Sequence, residues 1–181
     1  MKLMIASDLH GAADDCRAML RAYDREGAQK LILLGDLLYH GPRNDLPPDY
    51  RPKEVISLLN GRREELLCVR GNCEAEVDQM VLDFPVLADY MILYLGERMV
   101  FATHGHLHNE KNLPPLKRGD VLLHGHTHLM ALEGREGYLY ANPGSVALPK
   151  GGNPKSYLVY EEGVFFLKTL EGQACGQYRL S

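Results

Sequence analysis

The sequence predicts an α/β fold in which two β-sheets pack face to face with helices outside. Three observations predict it. The first half alternates short apolar runs with stretches of helical spacing, as βαβ units do. The second half is a series of apolar strands joined by tight Gly-containing turns, as hairpins are. Most apolar runs end in Asp, His, Gly or Asn, so polar residues collect at the strand ends where α/β proteins place their sites.

Lys2 to Ser7 is the first strand. Ala12 to Glu26 follows as a helix, with Cys16, Met19, Leu20 and Tyr23 at helical spacing and Gly11 as the preceding turn. Lys30 to Leu34 is apolar almost throughout, as a strand buried on both faces would be. The segment His40-Gly41-Pro42-Arg43-Asn44-Asp45-Leu46-Pro47-Pro48-Asp49 is too long and too punctuated for a simple connector, and loops of that kind often carry function. Pro52 opens a second helix running to about Arg62, with Val55, Leu58 and Leu59 on one face. Leu66 to Val69 is a third short strand.

Strands then dominate. Tyr90 to Leu95 and Arg98 to Thr103 flank Gly96-Glu97, and Val121 to Leu123 is an apolar run between loops. Leu129 to Glu133 and Tyr138 to Asn142 flank a turn from Gly134 to Gly137, and Ser156 to Tyr160 and Val164 to Thr169 flank Glu161-Glu162-Gly163. The tail from Leu170 to Ser181 reads as an added edge strand.

A length of 181 residues suggests one domain spanning 1–181. The hydrophobic share of 45% is that of a globular protein. A net charge of -4 supplies no global basic field, which argues against nucleic acid as partner. Cys16, Cys68, Cys73 and Cys175 form no CxxC pair, so neither a zinc ribbon nor a disulfide framework is indicated, and reduced thiols in the cytoplasm are expected. The apolar start reaches Asp8 too soon for a signal-peptide core, and no run approaches the roughly 20 residues that span a membrane.

The chemistry lies in the polar clusters: Asp8-Leu9-His10, Gly35-Asp36, Gly71-Asn72 and Gly125-His126-Thr127-His128, with His104-Gly105-His106 between the last two. Together they suit a two-metal site for ions such as Mn, Fe, Zn or Co. A lone Asp at a strand end is usually a cap or turn former. Asp8 comes with His10 two residues on, however, and in an extended segment both point the same way and can grip one ion. Asp36 has two oxygens to share between two ions. His126 and His128 read as ligands whose alternation puts both rings on one side of an extended loop. His40, His106, His108 and His124 read as structural or supporting. Gly71-Asn72 alone reads as a turn; in this company the amide oxygen of Asn72 is a neutral ligand.

The ordered set Asp8-x-His10, Gly35-Asp36, Gly71-Asn72, His104 and Gly125-His126-x-His128 resembles the calcineurin-like metallophosphoesterases, from Met1 to about Ser156. A narrower resemblance, to the small bacterial YfcE-type phosphodiesterases, rests on Gly71-Asn72-Cys73-Glu74, His104-Gly105-His106, Asn142-Pro143-Gly144-Ser145 and the loop from His40 to Asn44, and covers nearly the whole chain. The resemblance implies a four-layer α/β/β/α sandwich of two mixed sheets flanked by helices. It implies one ion on Asp8, His10, Asp36 and His128 and a second on Asp36, Asn72, His104 and His126. Manganese is expected first, with zinc, iron or cobalt as alternatives. The implied reaction is hydrolysis of a small phosphodiester by a hydroxide held between the ions.

One position departs from the family pattern. Many members carry a histidine after the motif asparagine, thought to protonate the leaving oxygen, where this chain has Cys73. The proton then comes from Cys73, from His106 or from the substrate, or Cys73 is a small residue without chemistry. Diesters with stable leaving anions are expected to suffer least. His40, Arg43 and Asn142 are candidates for substrate contact, and Arg70 is a softer one; each also has a structural reading. Rival functions are a protein-interaction scaffold, as a retromer subunit of this fold is, or a phosphomonoesterase, nucleotide pyrophosphatase or nuclease on the same metals. Exposed hairpins leave room for a homo-oligomer.

Overall fold

A computed structural model describes residues 1–180. The strands are β1 (Lys2–Ala6), β2 (Lys30–Leu33), β3 (Leu66–Cys68), β4 (Tyr90–Leu95), β5 (Arg98–Thr103), β6 (Asp120–Leu123), β7 (Met130–Gly134), β8 (Tyr138–Pro143), β9 (Ser156–Glu161), β10 (Val164–Thr169) and β11 (Ala174–Arg179). The helices are α1 (Ala13–Glu26), α2 (Pro52–Asn60) and the single turn α3 (Glu76–Gln79). Expected strands fall within a residue or two of these bounds. The expected edge strand of the tail is β11, pairing with β10, while Ser181 lies outside the described residues. The turn α3 has no apolar periodicity and was not legible in the sequence.

One sheet runs β11-β10-β9-β1-β2-β3 and the other β4-β5-β6-β8-β7. Both are mixed. β1, β2 and β3 are mutually parallel, β9 to β11 run antiparallel, and β5, β6 and β8 are parallel between antiparallel edges.

Alternation explains the continuous apolar runs of β1 and β2. Met4, Ala6, Leu31 and Leu33 face α1 and α2, meeting Cys16, Met19, Tyr23, Val55 and Leu59. Leu3, Ile5 and Ile32 face the second sheet, meeting Val100, Ala102, Val121, Leu123 and Leu139. A strand covered on both sides has no polar face to show. α1 stops at Gly27, whose φ of 60° turns the chain left-handed and lets its N–H reach the carbonyls of Tyr23 and Asp24.

The helices sit on the β1–β3 sheet. The outer face of the second sheet carries a smaller cluster, Phe101, Leu122 and Tyr140, over which Leu116 packs from the 104–119 connection. That connection contains no helix. The expected pair of mixed sheets flanked by helices is present, and this Gly- and Pro-containing loop covers the outer face of the second sheet.

Candidate metal centre

The clusters all follow parallel strands: Asp8 and His10 after β1, Asp36 after β2, Asn72 after β3, His104 after β5, and His126 and His128 after β6. The backbone turns sharply there. Asp8, His10, Asp36, His126 and His128 have φ of 60°, 48°, 56°, 65° and 61°. Among the described residues the only other non-glycine with positive φ is Glu162, in a hairpin turn. A left-handed L-residue costs roughly 1–2 kcal/mol, so five at one place mark a functional constraint. Ladders between the loops hold the strain: Asp8 N–H donates to Gly35 O at 3.1 Å, His10 N–H to Asp36 O at 2.8 Å, and Gly125 N–H to His104 O at 2.9 Å. Close approach also requires Gly71 and Gly125. A Cβ on Gly71 would collide with the Asp36 carboxylate, and one on Gly125 with Ser7 and Asp8.

The expected extended alternation of Asp8 with His10, and of His126 with His128, is corrected by these angles. Each pair converges through left-handed turns, and the His126 and His128 rings go to different groups.

One group gathers around Asp8 Oδ1. His128 Nε2 lies 3.3 Å from it, His10 Nε2 3.6 Å, and the two nitrogens are 3.3 Å apart. The other gathers around His104 Nε2, with Asn72 Oδ1 and His126 Nδ1 each at 3.1 Å. Asp36 Oδ2 belongs to both, 3.8 Å from His10 Nε2 and 3.5 Å from His104 Nε2. Two donors each about 2.0–2.2 Å from one ion stand roughly 3–3.6 Å apart.

The donors are prepared for cations. Nδ1–H of His10, His104 and His128 donates to the carbonyls of Tyr39 (2.9 Å), Leu34 (2.6 Å) and Leu148 (2.6 Å), leaving each Nε2 turned to the centre. Burial, aided by His104, pushes His126 down to about 4, so it is a neutral donor at pH 7. Each carboxylate has one oxygen tied down: His126 N–H donates to Asp8 Oδ2 at 3.0 Å, and Cys73 N–H to Asp36 Oδ1 at 2.9 Å. Asp8 Oδ1 is fully buried with no hydrogen-bond partner. Desolvation of Asp8 works against its charge, yet the imidazoles of His10 and His128 beside it hold its carboxyl well below the usual range. An orphaned carboxylate oxygen facing imidazole lone pairs demands positive charge, and divalent cations fit this donor set.

The remaining candidates divide. Arg43 and Cys73 line a cavity of about 290 Å³ over the ligands, together with Asp36, Asn72 and His128. Cys73 is half-buried, and burial, then the Asp36 charge, pushes its thiol far up. His106 opens instead on a neighbouring cavity of about 280 Å³, its ring 5.4 Å from His104 and 6.3 Å from His126, and burial lowers its pKa. The His40 ring packs edge-on between Tyr39 and Tyr50. Asn142 is fully buried; its Nδ2 lies 3.0 Å from Gly125 O and 3.0 Å from Thr127 Oγ1, and its Oδ1 accepts Gly144 N–H at 2.9 Å. It braces the histidine loop from behind rather than lining the cavity. Arg70 pairs with Asp89 at 2.6 Å.

Sequence reasoning missed two residues. Glu74 stood in the Gly71-Asn72-Cys73-Glu74 quartet without a role. Its carboxylate accepts the N–H of Asp36 (2.8 Å), Leu37 (2.6 Å) and Gly71 (2.5 Å), joining the loops that carry Asp36 and Asn72. Lys150 lines the cavity because its N–H donates to His128 O at 3.1 Å, and no sequence signal marks it.

The family model of the calcineurin-like phosphoesterase superfamily domain matches residues 1–163. Phosphodiesterase YfcE of Escherichia coli K12 is 47% identical over 174 residues, covering 96% of this chain and 95% of that protein. The solved structure of Yfce, a phosphoesterase from E. coli, superposes with a TM-score of 0.97 at 44% identity, covering 100% of both chains. A Vps29 from Entamoeba histolytica shares the fold at a TM-score of 0.67 and 19% identity, over 100% of both chains.

Proposed function

We propose that this chain, which belongs to the calcineurin-like phosphoesterase superfamily, hydrolyses small phosphodiesters with the help of two divalent ions, manganese first among them. The observation that carries the reading is the Asp36 carboxylate. One oxygen is tied to the Cys73 N–H at 2.9 Å, while the other faces His10 on one side and His104 on the other. Asp36 would therefore help to hold both ions. When bound, a pair of such ions supplies Lewis acidity that activates water and draws charge from the phosphoryl oxygens.

The chain's own residues do the rest. Asp8, His10, Asp36 and His128 would hold one ion, and Asp36, Asn72, His104 and His126 the other. Arg43 and Lys150 offer positive charge to the phosphate from the cavity wall. In hydrolysis the water oxygen bonds to phosphorus, the P–O bond to one alcohol breaks, and the departing oxygen takes a proton. The Cys73 thiol is a weak hydrogen-bond donor, and His106 opens on the neighbouring cavity rather than over the ligands. Substrates whose departing oxygen is stable as an anion should therefore turn over fastest.

The likeness to phosphodiesterase YfcE along nearly the whole chain supports diesters over monoesters. Likeness to Vps29 shows the fold alone. A cytoplasmic location belongs to the same proposal, supported by four free thiols.

The test is metal-stripped protein assayed with Mn²⁺, Zn²⁺, Mg²⁺ or no metal on bis(p-nitrophenyl) phosphate and p-nitrophenyl phosphate. Metal-restored cleavage of the diester, with little of the monoester and far slower cleavage by Asp36→Asn, is the expected result. Folded protein that cleaves neither substrate with any metal overturns the reading in favour of a scaffold.

A further inference from the structure

The metal cavity has a neighbour of opposite character. A second cavity of about 400 Å³ is walled by Leu38, Tyr39, Tyr50, Ile56, Val77 and Val81. Its walls come from three stretches of chain: the loop after β2, the first turns of α2, and α3 with the residues after it. Tyr39, Val77 and Val81 are 43%, 62% and 41% exposed, so three large apolar side chains stand in water around one hollow. Lys53 and Asp78 also line it, one of each sign, so the hollow has no net field of its own.

The two cavities meet at one side chain, Cys73, which lines both. Its sulfur, a His10 ring nitrogen and an Asp36 carboxylate oxygen all lie within 4.8 Å of one another. The metal centre is therefore flanked unequally. One side offers the cations Arg43 and Lys150; past Cys73 the walls are apolar and aromatic. A phosphodiester is unequal in the same way, with a charged centre and two alcohol substituents that leave it in different directions.

Building on the phosphodiesterase reading, we propose that the cavity beyond Cys73 binds an aromatic group on the alcohol side of the substrate, making this enzyme selective for aryl or heteroaryl phosphodiesters. Tyr39 and Tyr50 supply ring faces and edges for such a group, and Ile56, Val77 and Val81 supply apolar area. Cys73 stands between the two cavities as a small side chain that lines both.

The test is a binding measurement, independent of turnover. Mn²⁺-loaded protein is titrated calorimetrically with benzyl(methyl)phosphinate and with dimethylphosphinate, diester mimics of equal charge whose P–C bonds the reaction cannot cleave. The benzyl compound should bind about tenfold more tightly, as partial burial of one ring predicts. In Val77→Asn/Val81→Asn, two exposed positions where no charge is added, that ratio should fall toward one. Tyr39→Ala should lower it independently. Equal binding of the two mimics by the wild-type chain overturns the inference, as does no binding of either, or a preference that survives both variants. Bis(p-nitrophenyl) phosphate cleavage by the same preparation separates the two readings. Cleavage without aryl preference removes only the cavity assignment, whereas aryl preference without cleavage removes only the phosphodiesterase reading.

Discussion

Glu74 holds Asp36 in place. Its half-buried carboxylate accepts the Asp36 backbone N–H at 2.8 Å while the Asp36 side chain turns toward His10 and His104. Two carboxylates are thus stationed close together, one gripping backbone and one free for cations.

That arrangement has a titration signature. Without metal, burial and then the Asp36 charge raise Glu74 from 4.5 to about 7. Because the folded value lies above the unfolded one, the group's contribution to stability is full below about 4.5 and is lost as pH rises through about 7. Carboxyl ¹³C titration of the metal-free protein should show a glutamate with a midpoint near 7. Adding Mn²⁺ or diamagnetic Zn²⁺ should move it down, since a nearby cation favours the carboxylate. A Glu74 midpoint that ignores the metal would refute the placement of an ion on Asp36.

Ligand deletion should be selective. His128→Gln should reduce the metal content from two ions to one, and so should His104→Gln, because each ring serves one group only. Asp36→Asn should weaken both and lower kcat/KM by about 10²–10³. Elemental analysis after dialysis at fixed free metal distinguishes these patterns. Complete loss of both ions in His128→Gln would speak against two separable sites.

Cys73→His should restore a competent proton donor. Its effect should grow as the leaving alcohol becomes more basic, reaching on the order of 10²-fold for alkyl esters and staying small for p-nitrophenyl esters. Rates plotted against leaving-group pKa test this through the slope. A parallel shift of the whole line would mean that the residue acts on binding rather than on the proton.

Asn142→Ala should act on stability, not on recognition. It removes the side chain that reaches Gly125 O, Thr127 and Gly144, and should cost about 1–3 kcal/mol for the groups left unpaired. Denaturant midpoints should fall while KM for bis(p-nitrophenyl) phosphate changes less than threefold at saturating metal, by analogy with a brace lying outside the cavity. A large rise in KM with unaltered stability would return Asn142 to the substrate.

Much of the architecture was readable from local pattern. Runs such as Leu3 to Ala6 and Leu31 to Leu34 must be covered on both faces, since alternate residues are equally apolar, and the structure buries one set under α1 and α2 and the other against the second sheet. The motifs that carry Asp8, His10, Asp36, Asn72, His126 and His128 pointed to a donor set, to which the family resemblance added His104. Both readings depend on neighbours in the chain, where residue type and period carry the information.

Other features depend on neighbours in space. Only the packed strand ends decide that Asp8, His10, Asp36, His126 and His128 turn left-handed, because loops converging on one point leave no extended path. Only the fold brings Glu74 under Asp36, brings Lys150 beside His128, puts Asn142 behind its loop, and joins Tyr39, Ile56 and Val81 into one wall. The sequence by itself determined which donors and which apolar faces exist. The tertiary structure decided which oxygen is orphaned and which surface adjoins it, because burial and distance are set by the packing of segments far apart in the chain.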